Sequence, residues 1–247
     1  AIDIVGTGGD ASGSFNISTG AALLTASMGV RVVKHGNRSI SSRSGSADLL
    51  ECLGLPQPLD ERRSGECLAA TGFTFLFAPH YHPAMKEIAP VRRALGVRTV
   101  FNLLGPLTNP AEPPFGLIGA YSRDAARLMA ETLAGMPIQR VFVVHGEPGW
   151  DEPTPCGPFE LYDVTPGHVV RTERDPLDCG LARCTPQSLA GGDAARNATG
   201  MRAVFTGQDR GSHRDALVLN AALALEVTGT VADPHAAIRA ASDAPDR

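Results

Sequence analysis

The sequence predicts an α/β domain, with a mostly parallel central sheet flanked by helices, that covers residues 1–247. Short apolar runs rich in β-branched residues alternate with helical stretches along the chain, which is typical of βα units around a parallel sheet. Loops rich in glycine and serine follow the first two predicted strands, at the edge where open α/β sheets bind ligands. A chain of 247 residues is long enough for one such domain with its own core.

The first strand–helix–strand unit is defined by sharp changes in residue type. Residues 2–5 are apolar and end at a glycine-rich stretch, so they predict a short buried strand. Asn16 and Ser18 are residue types that begin helices, and the apolar run 21–28 after them predicts the first helix. The β-branched run 30–33 predicts an interior parallel strand, reached by a right-handed crossover.

The later elements follow the same alternation. The predicted strands are 73–77, 117–120, 140–145 and 160–164. The predicted helices are 47–53, 59–70, 83–95, 123–135, 192–199, 214–227 and 234–242. The helix at 83–95 has a proline in its first turn and apolar side chains on one face, as expected for an amphipathic helix.

Two loops near the start of the chain have the composition of a phosphate-binding site. Gly6-Thr7-Gly8-Gly9-Asp10 leaves backbone N–H groups open to an anion, close to a predicted helix N-terminus. The loop 34–46 adds Lys34, Arg38 and Arg43 among serines and glycines, which suits a diphosphate and sugar hydroxyls. Neither Gly-x-Gly-x-x-Gly spacing nor a Walker signature is present, so dinucleotide and P-loop sites are disfavoured. Loops that bind nothing are the alternative, and two such loops at consecutive strand ends weigh against it.

An acidic pair follows a later strand. Asp151 and Glu152 come shortly after the predicted strand 140–145, at the same edge as the two loops. Two carboxylates beside a polyanion require a cation, and Mg²⁺ prefers a few carboxylates together with phosphate oxygens and water. Taken alone, the pair is more simply interpreted as a solvated acidic turn, and the two phosphate loops reverse that preference. His80 and His82 are interpreted as packing or ligand-lining residues rather than metal ligands.

Composition and charge disfavour several classes of protein. The net charge of −4 provides no basic field for nucleic acid. Apolar runs end well short of the ~20 residues that cross a membrane, and no signal peptide opens the chain, so we expect a cytoplasmic protein. The five cysteines include no Cys-x-x-Cys pair and are expected to be reduced. The start at Ala1, without an initiator methionine and directly on a core strand, predicts a trimmed domain whose upstream segment is absent.

Several motif blocks occur along the chain in a fixed order. They are Gly6-Thr7-Gly8-Gly9-Asp10, Asn16-Ile17-Ser18-Thr19, Lys34-His35-Gly36-Asn37-Arg38-Ser39, 45–48, 82–86 with Val91-Arg92, 102–110, Asp151-Glu152, 191–194 and 214–216. In this order they resemble the anthranilate phosphoribosyltransferase family over essentially the whole chain. The resemblance implies the fold of the nucleoside phosphorylase/phosphoribosyltransferase catalytic domain. It also implies a preceding small helical domain that mediates a homodimer, with residues 79–105 packing against that domain.

The same resemblance implies a reaction and a set of site residues. The reaction transfers phosphoribosyl from 5-phosphoribosyl-1-diphosphate to the amino group of anthranilate in tryptophan biosynthesis, with Mg²⁺ as cofactor. The positions that match donor-binding residues are Gly6, Gly9, Asp10, Ser14, Asn16, Ile17, Ser18, Thr19, Lys34, His35, Gly36, Asn37, Arg38, Ser39, Ile40, Ser41, Ser42 and Ser46. Those that match the acceptor site are Gly6, His35, Asn37 and Arg92, and those that match the metal ligands are Ser18, Asp151 and Glu152.

Arg92 would pair with the carboxylate of the acceptor. No residue of the sequence is a clear general base. An aromatic amine is nucleophilic without prior deprotonation, so positioning of the substrates is expected to supply most of the catalysis.

Departures from the family pattern leave alternatives open. Ser14 replaces a common threonine, Trp150 and Pro153 flank the acidic pair where smaller or aliphatic residues are usual, and Pro155-Cys156 replaces a more hydroxyl-rich run. One alternative is a pyrimidine nucleoside phosphorylase, which would use inorganic phosphate and need no acidic metal pair. The other is a non-catalytic relative that binds nucleic acid, which the net negative charge disfavours.

Overall fold

A single mixed sheet organises the protein. The structure, a computed structural model, describes residues 1–10, 12–39, 43–84 and 99–246. The strands within these residues are β1 (Ile2–Gly6), β2 (Val32–Gly36), β3 (Phe73–Phe77), β4 (Phe115–Gly119), β5 (Arg140–Gly146), β6 (Phe159–Thr165) and β7 (His168–Arg174). They hydrogen-bond in the order β3-β2-β1-β4-β5-β6-β7.

Most of the sheet is parallel, as the sequence predicts. Strands β1 to β5 run parallel, and β6 and β7 form an antiparallel hairpin at one edge. The sequence pattern does not predict β7, because this strand is exposed along nearly its whole length and therefore lacks an alternation of buried and exposed side chains. Strand β2 begins and ends later than the predicted run 30–33, so Lys34 and His35 lie inside the strand and not after it.

Helices cover both faces of the sheet. The helices of the described residues are α1 (Ile17–Ser27), α2 (Ser46–Leu53), α3 (Glu61–Thr71), α4 (Ala78–Tyr81), α5 (Phe101–Leu104), α6 (Arg123–Leu133), α7 (Ala194–Phe205), α8 (Ser212–Val227) and α9 (Pro234–Asp243). Helix α8 is buried continuously from Ala216 to Val227 and packs against α1 and α9. Helix α6 packs against β5 and β6.

Strand β5 shows how the sheet separates two apolar clusters. Phe142 and Val144 belong to the cluster that contains α1 and α8, whereas Val141 and Val143 belong to the cluster that contains α6. Successive side chains of a strand point to opposite faces, so the strand supplies both cores at once. The predicted arrangement of helices on either side of the sheet is therefore present.

Three further expectations concern segments and side chains outside the sheet. The predicted helix at 83–95 falls mostly on residues 85–98, which lie outside the described part of the chain. None of the helices in the described ranges is long and apolar enough to cross a bilayer. All five cysteines are free thiols.

Candidate active site

Three loops meet at the carboxyl edge of β1, β2 and β5. We call them the glycine loop (residues 7–10 and 12–16), the basic loop (37–39 and 43–45) and the acidic loop (147–158). Gly8 of the glycine loop donates its backbone N–H to Asp151 Oδ2 of the acidic loop at 2.6 Å. Asn16 Nδ2 donates to the carbonyl oxygen of Ser44 in the basic loop at 3.1 Å. The structure thus brings together three segments that are distant in the sequence.

The glycine loop depends on conformations and contacts that other residues disfavour. Gly8, Gly9 and Gly13 have φ values of 63°, 76° and 59°, in the left-handed region that glycine adopts without steric cost. At Gly6, the last residue of β1, an added Cβ atom would overlap the carboxylate of Asp151. The acidic loop therefore packs directly against the end of the first strand.

Glu152 occupies the N-terminus of α1. Its Oε1 accepts the backbone N–H of Ser18 at 2.9 Å, where the partial positive charge of the helix end stabilises an anion. Asn16 holds the N-cap position, as its residue type predicts, but its side chain makes no capping hydrogen bond. The backbone N–H of Ser18 is therefore available to a carboxylate or to a ligand rather than to the side chain of the cap residue.

The side chain of Asn16 is instead oriented by α7. Asn197, which is 2% exposed, donates from Nδ2 to Asn16 Oδ1 at 2.8 Å. The backbone N–H of Gly192 donates to Asn197 Oδ1 at 2.7 Å, and this bond fixes which way the Asn197 amide faces. Sequence reasoning misses Asn197, because a single amide in an alanine-rich helix has no motif to mark it.

The acidic pair is crowded by a third carboxylate. Asp151 is 7% exposed, and its backbone N–H donates to Asp10 Oδ2 at 3.3 Å. Burial raises the pKa of Asp151 well above its usual value, and the charges of Glu152 and Asp10 raise it further. Burial and the charge of Asp10 raise the pKa of Glu152 to about 7. The cluster therefore needs a proton or a cation to offset its charge.

Lys34 is a buried counter-charge for this cluster. It is 1% exposed, and its Nζ donates to the carbonyl oxygen of Ile4 and to Ser18 Oγ, the latter at 3.4 Å. Burial lowers its pKa, and the charges of Asp3 and of the acidic pair oppose that shift. The sequence predicts that Lys34 projects from a loop. In the structure its ammonium contacts Ser18 Oγ from within the sheet, where its positive charge stabilises the carboxylates of Asp151 and Glu152.

His35 presents an acceptor nitrogen beside the loops. Its Nδ1 lies 3.2 Å from the carbonyl oxygen of Gly105, and a carbonyl only accepts, so Nδ1 carries the proton. Its Nε2 is buried and has no hydrogen-bond partner among the described residues. Burial and the nearby His82 lower the pKa of His35 to about 4, so the ring is neutral near pH 7. Gly36 then ends β2, and the exposed Asn37 begins the basic loop.

The basic loop is held by carboxylates of α2. Arg38 forms an ion pair with Glu51 and donates to Asp48 Oδ1 at 3.0 Å. Asp48 Oδ2 also accepts the backbone N–H groups of Ser39 at 3.0 Å and of Gly45 at 2.9 Å. The guanidinium that the sequence assigns to the diphosphate is therefore engaged with α2, and it reaches a phosphate only by exchanging these partners. The role of Asp48 in organising the loop is not predicted from the sequence.

The other predicted positions differ in what they can contact. Ser14 Oγ lies 3.5 Å from Glu152 Oε2, and Thr19 Oγ1 donates to Ser46 Oγ at 3.0 Å, so these hydroxyls lie where the loops meet. Ile17 is fully buried in the core, so only its backbone can face a ligand. The predicted positions that lie outside the described residues are Ile40, Ser41, Ser42 and Arg92.

The donor set of the acidic pair fits Mg²⁺. Among the described side chains, no three His, Cys, Asp or Glu groups converge to form a complete metal cage. Mg²⁺ does not need one, because it is usually held by one or two carboxylates and completes its coordination with water and substrate phosphates. Asp151 and Glu152 supply those carboxylates, Ser18 supplies a nearby hydroxyl, and all of these donors are oxygens, which suit a hard cation.

Comparison with known proteins identifies the family. Residues 1–246 match the family model described as "Glycosyl transferase family, a/b domain". The chain is 47% identical to the anthranilate phosphoribosyltransferase of Rubrobacter xylanophilus over 240 residues, which cover 97% of this chain and 70% of that one. It is 48% identical to the corresponding protein of Methylobacterium nodulans over 246 residues, which cover 100% of this chain and 73% of that one.

Solved structures with the same fold agree with this assignment. Anthranilate phosphoribosyltransferase from Thermus thermophilus matches with a TM-score of 0.90 at 44% identity, covering 98% of this chain and 72% of that one. The Saccharomyces cerevisiae enzyme in complex with PRPP and Mg matches with a TM-score of 0.87 at 28% identity, covering 99% and 69%. These matches confirm the predicted fold and favour the transferase over the nucleoside phosphorylase and the nucleic-acid-binding relative. The chain belongs to the anthranilate phosphoribosyltransferase family.

Proposed function

We propose that this protein transfers the phosphoribosyl group of 5-phosphoribosyl-1-diphosphate to the amino group of anthranilate, giving N-(5-phosphoribosyl)anthranilate and diphosphate in tryptophan biosynthesis. One observation carries the proposal: the glycine loop, the N-terminus of α1 and the acidic pair share one edge of the sheet. A diphosphate needs backbone donors and a cation, and this edge places such donors beside two carboxylates. Relatives named anthranilate phosphoribosyltransferase, one of them solved in complex with PRPP and Mg, support the identity of the substrates.

The donor's diphosphate would bind where backbone N–H groups already hold carboxylates. Gly8 donates to Asp151 and Ser18 donates to Glu152, and diphosphate oxygens would compete for both N–H groups. Ser18, Asp151 and Glu152 would hold Mg²⁺, which when bound offsets the negative charge of the leaving diphosphate. Negative charge grows on the diphosphate as its bond to the ribose breaks, so fixed N–H donors stabilise the transition state more than the ground state.

The acceptor would lie on the His35 side of the donor. His35 Nε2 has no hydrogen-bond partner among the described residues, and it would accept a hydrogen bond from the amine of anthranilate once the site opens to admit that ligand. This bond would orient the lone pair of the amine towards the ribose without removing its proton, because a pKa of about 4 makes His35 a weak base. Positioning of a nucleophile that is already neutral therefore accounts for the acceptor half of the reaction.

The fluorescence of anthranilate provides the direct test. Addition of 5-phosphoribosyl-1-diphosphate and Mg²⁺ to the protein and anthranilate should cause a progressive loss of fluorescence, and a chelator should stop it. No loss at high protein concentration would refute the proposed reaction. Phosphorolysis of uridine or thymidine by the same preparation would favour the nucleoside phosphorylase instead.

A variant of Arg92 would distinguish the acceptor subsite from the donor subsite. The family resemblance assigns it to the anthranilate carboxylate, and a charge-assisted hydrogen bond to such a group contributes about 1.5–3 kcal/mol. Arg92→Ala should therefore raise the KM for anthranilate by about tenfold or more and leave the KM for the donor nearly unchanged. Arg93→Ala is the matched control. A rise confined to the donor KM would mean that the two subsites are exchanged.

We also propose a homodimer, as the family resemblance implies, and a cytoplasmic location, which the five free cysteines favour. The described parts of the segment expected to pack against a helical domain are 79–84 and 99–105. Native mass spectrometry of the full-length protein, which includes the expected helical domain, should give the mass of two chains at micromolar concentration, and a single chain would contradict the dimer.

A further inference from the structure

Cys156 and Cys184 form a thiol pair at the end of the acidic loop. Their Sγ atoms are 3.6 Å apart, although 28 residues separate them in the chain. Both side chains are partly exposed, and both pack against the larger apolar cluster. The backbone N–H of Cys184 donates to the carbonyl oxygen of Pro155 at 3.2 Å, which holds the two segments side by side. We propose that this pair is a modification site, at which a low-molecular-mass disulfide oxidises the two thiols to an intramolecular disulfide.

The geometry is close to what the bond requires. A disulfide joins sulfurs about 2.05 Å apart, on residues whose Cα atoms usually lie about 4.4–6.8 Å apart. The sulfurs must therefore approach each other by roughly 1.5 Å, a distance that small side-chain rotations supply, while the hydrogen bond to Pro155 keeps the backbones adjacent. No rearrangement of the sheet is needed, because neither cysteine lies in a strand.

The chemistry proceeds by two exchange steps. Burial raises the pKa of Cys156 to about 11, so this thiol is protonated near pH 7 and is a slow first nucleophile. The thiolate of Cys184 attacks one sulfur of the external disulfide, forms a mixed disulfide and expels one thiolate. Cys156 then loses its proton and attacks the Cys184 sulfur, and the second external thiolate leaves. Two protein thiols are oxidised, and one external disulfide is reduced to two thiols.

The bond would tie together two segments that border the candidate active site. Cys156 follows the acidic pair in the acidic loop. Cys184 leads into the segment 184–191, which contacts the glycine loop: Phe15 donates its N–H to the carbonyl oxygen of Leu189 at 2.8 Å, and Gly191 donates to Gly13 at 2.9 Å. Oxidation would therefore restrain the acidic loop against the segment that supports the glycine loop. This inference does not depend on the proposed reaction.

Peptide mapping tests the site directly. The protein is incubated with oxidised glutathione, alkylated with iodoacetamide and digested with trypsin, which places Cys156 on peptide 141–171, Cys184 on peptide 184–196 and Cys179 on peptide 175–183. We expect peptides 141–171 and 184–196 to be joined, with the loss of two hydrogens. The titre of free thiols should fall from five to three per chain. Recovery of both peptides alkylated or carrying separate glutathione adducts would overturn the proposal.

Single variants distinguish the two steps. In Cys156→Ser, glutathione should stay attached to Cys184 because no second thiol displaces it, whereas Cys184→Ser should leave Cys156 unmodified. Cys179→Ser is the control and should keep the cross-link. Because the bond closes a long loop, the oxidised wild-type protein should unfold at least about 3 °C higher than the reduced protein, and dithiothreitol should reverse the shift. An unchanged unfolding temperature together with separate peptides would show that the thiols do not couple.

Discussion

At the scale of single residues, His35 shows how burial fixes a protonation state that the proposed acceptor site needs. Its pKa of about 4 lies below the ordinary value of 6.5, so between these values the unfolded chain binds a proton that the folded protein does not. The stability that His35 contributes is complete above about pH 6.5 and is lost as the pH falls towards 4. The difference corresponds to about 3 kcal/mol.

His35→Gln isolates this contribution. Glutamine can still donate to the carbonyl oxygen of Gly105 but does not titrate. The free energy of unfolding of the variant, measured by urea titration from pH 7 to pH 4, should therefore fall less steeply than that of the wild type. His168→Gln, which removes an exposed imidazole on β7, should keep the wild-type slope. Parallel curves for wild type and His35→Gln would show that the ring is not held neutral.

Asn197 allows a second residue-scale prediction. Aspartate at this position still accepts the N–H of Gly192 but cannot donate to Asn16 Oδ1, so Asn16 loses its fixed orientation towards the basic loop. Asn16 is partly buried, and the loss of one hydrogen bond to it costs about 0.5–1.5 kcal/mol. Asn16 is a proposed donor contact, so Asn197→Asp should raise the donor KM by about two- to tenfold while the KM for anthranilate changes little.

Controls separate this effect from a general loss of structure. Thr199→Ala, on the exposed side of the same helix, should leave both KM values unchanged. Equal changes in both KM values, or a lower unfolding temperature with unchanged kinetics, would mean that Asn197 supports the fold rather than the donor site.

The residues that the sequence locates and those that it misses differ in one respect. Asp151 and Glu152 are adjacent in the chain and follow a strand, so their meeting with the glycine loop could be predicted. Asp48 accepts the N–H groups of Ser39 and Gly45, and Asn197 links α7 to Asn16; neither role follows from the residue type alone. The sequence pattern places Lys34 in a loop because a charged residue normally ends an apolar run; its burial depends on carboxylates that lie far away in the sequence.

At the scale of elements, the end of β4 limits where the acidic loop can lie. A Cβ atom at Gly119, the last residue of this strand, would overlap the backbone carbonyl of Asp151, so only glycine allows the loop to approach. Gly119→Ala should lower the free energy of unfolding by about 1–3 kcal/mol, because backbone atoms must move. It should also lower kcat/KM at least tenfold by displacing the acidic pair.

A matched glycine lies in α3. A Cβ atom at Gly65 meets open space, and alanine is the better helix former, so Gly65→Ala should raise stability by about 0.5–1 kcal/mol and leave kcat/KM unchanged. Wild-type kcat/KM in Gly119→Ala would mean that the acidic loop tolerates displacement.

The strands that could be predicted are those whose burial on both faces requires a run of apolar side chains. Strands β1 to β5 are covered on both faces and read as apolar runs, and their existence follows from the sequence alone. Strand β7 is exposed, and its pairing with β6 comes from the turn at Gly167, whose φ of 75° requires a residue such as glycine. A strand that is exposed on both faces has the residue pattern of a loop, which explains why β7 is not predicted.

At the scale of the whole molecule, the parallel sheet concentrates charge at one edge. Asp10, Asp151 and Glu152 approach from two loops, and Lys34 provides charge compensation from within the sheet. The raised pKa values of the acidic pair mean that the edge is electrostatically strained when these carboxylates are all ionised. A ligand that brings its own cation relieves this strain, whereas an anion alone increases it.

This balance predicts that Mg²⁺ and diphosphate stabilise the protein together more than the sum of their separate effects. A ligand at about one hundred times its Kd adds about 2.7 kcal/mol to the free energy of unfolding, which corresponds to about 5 °C or more in Tm for a protein of this size. At pH 8, each ligand alone should raise Tm by less than half of the joint shift.

A double variant, Asp151→Asn with Glu152→Gln, should lose the joint shift, and Glu131→Gln, at an exposed carboxylate of α6, should retain it. Diphosphate that stabilises the wild type equally with Mg²⁺ and with a chelator would show that the acidic pair does not hold the cation.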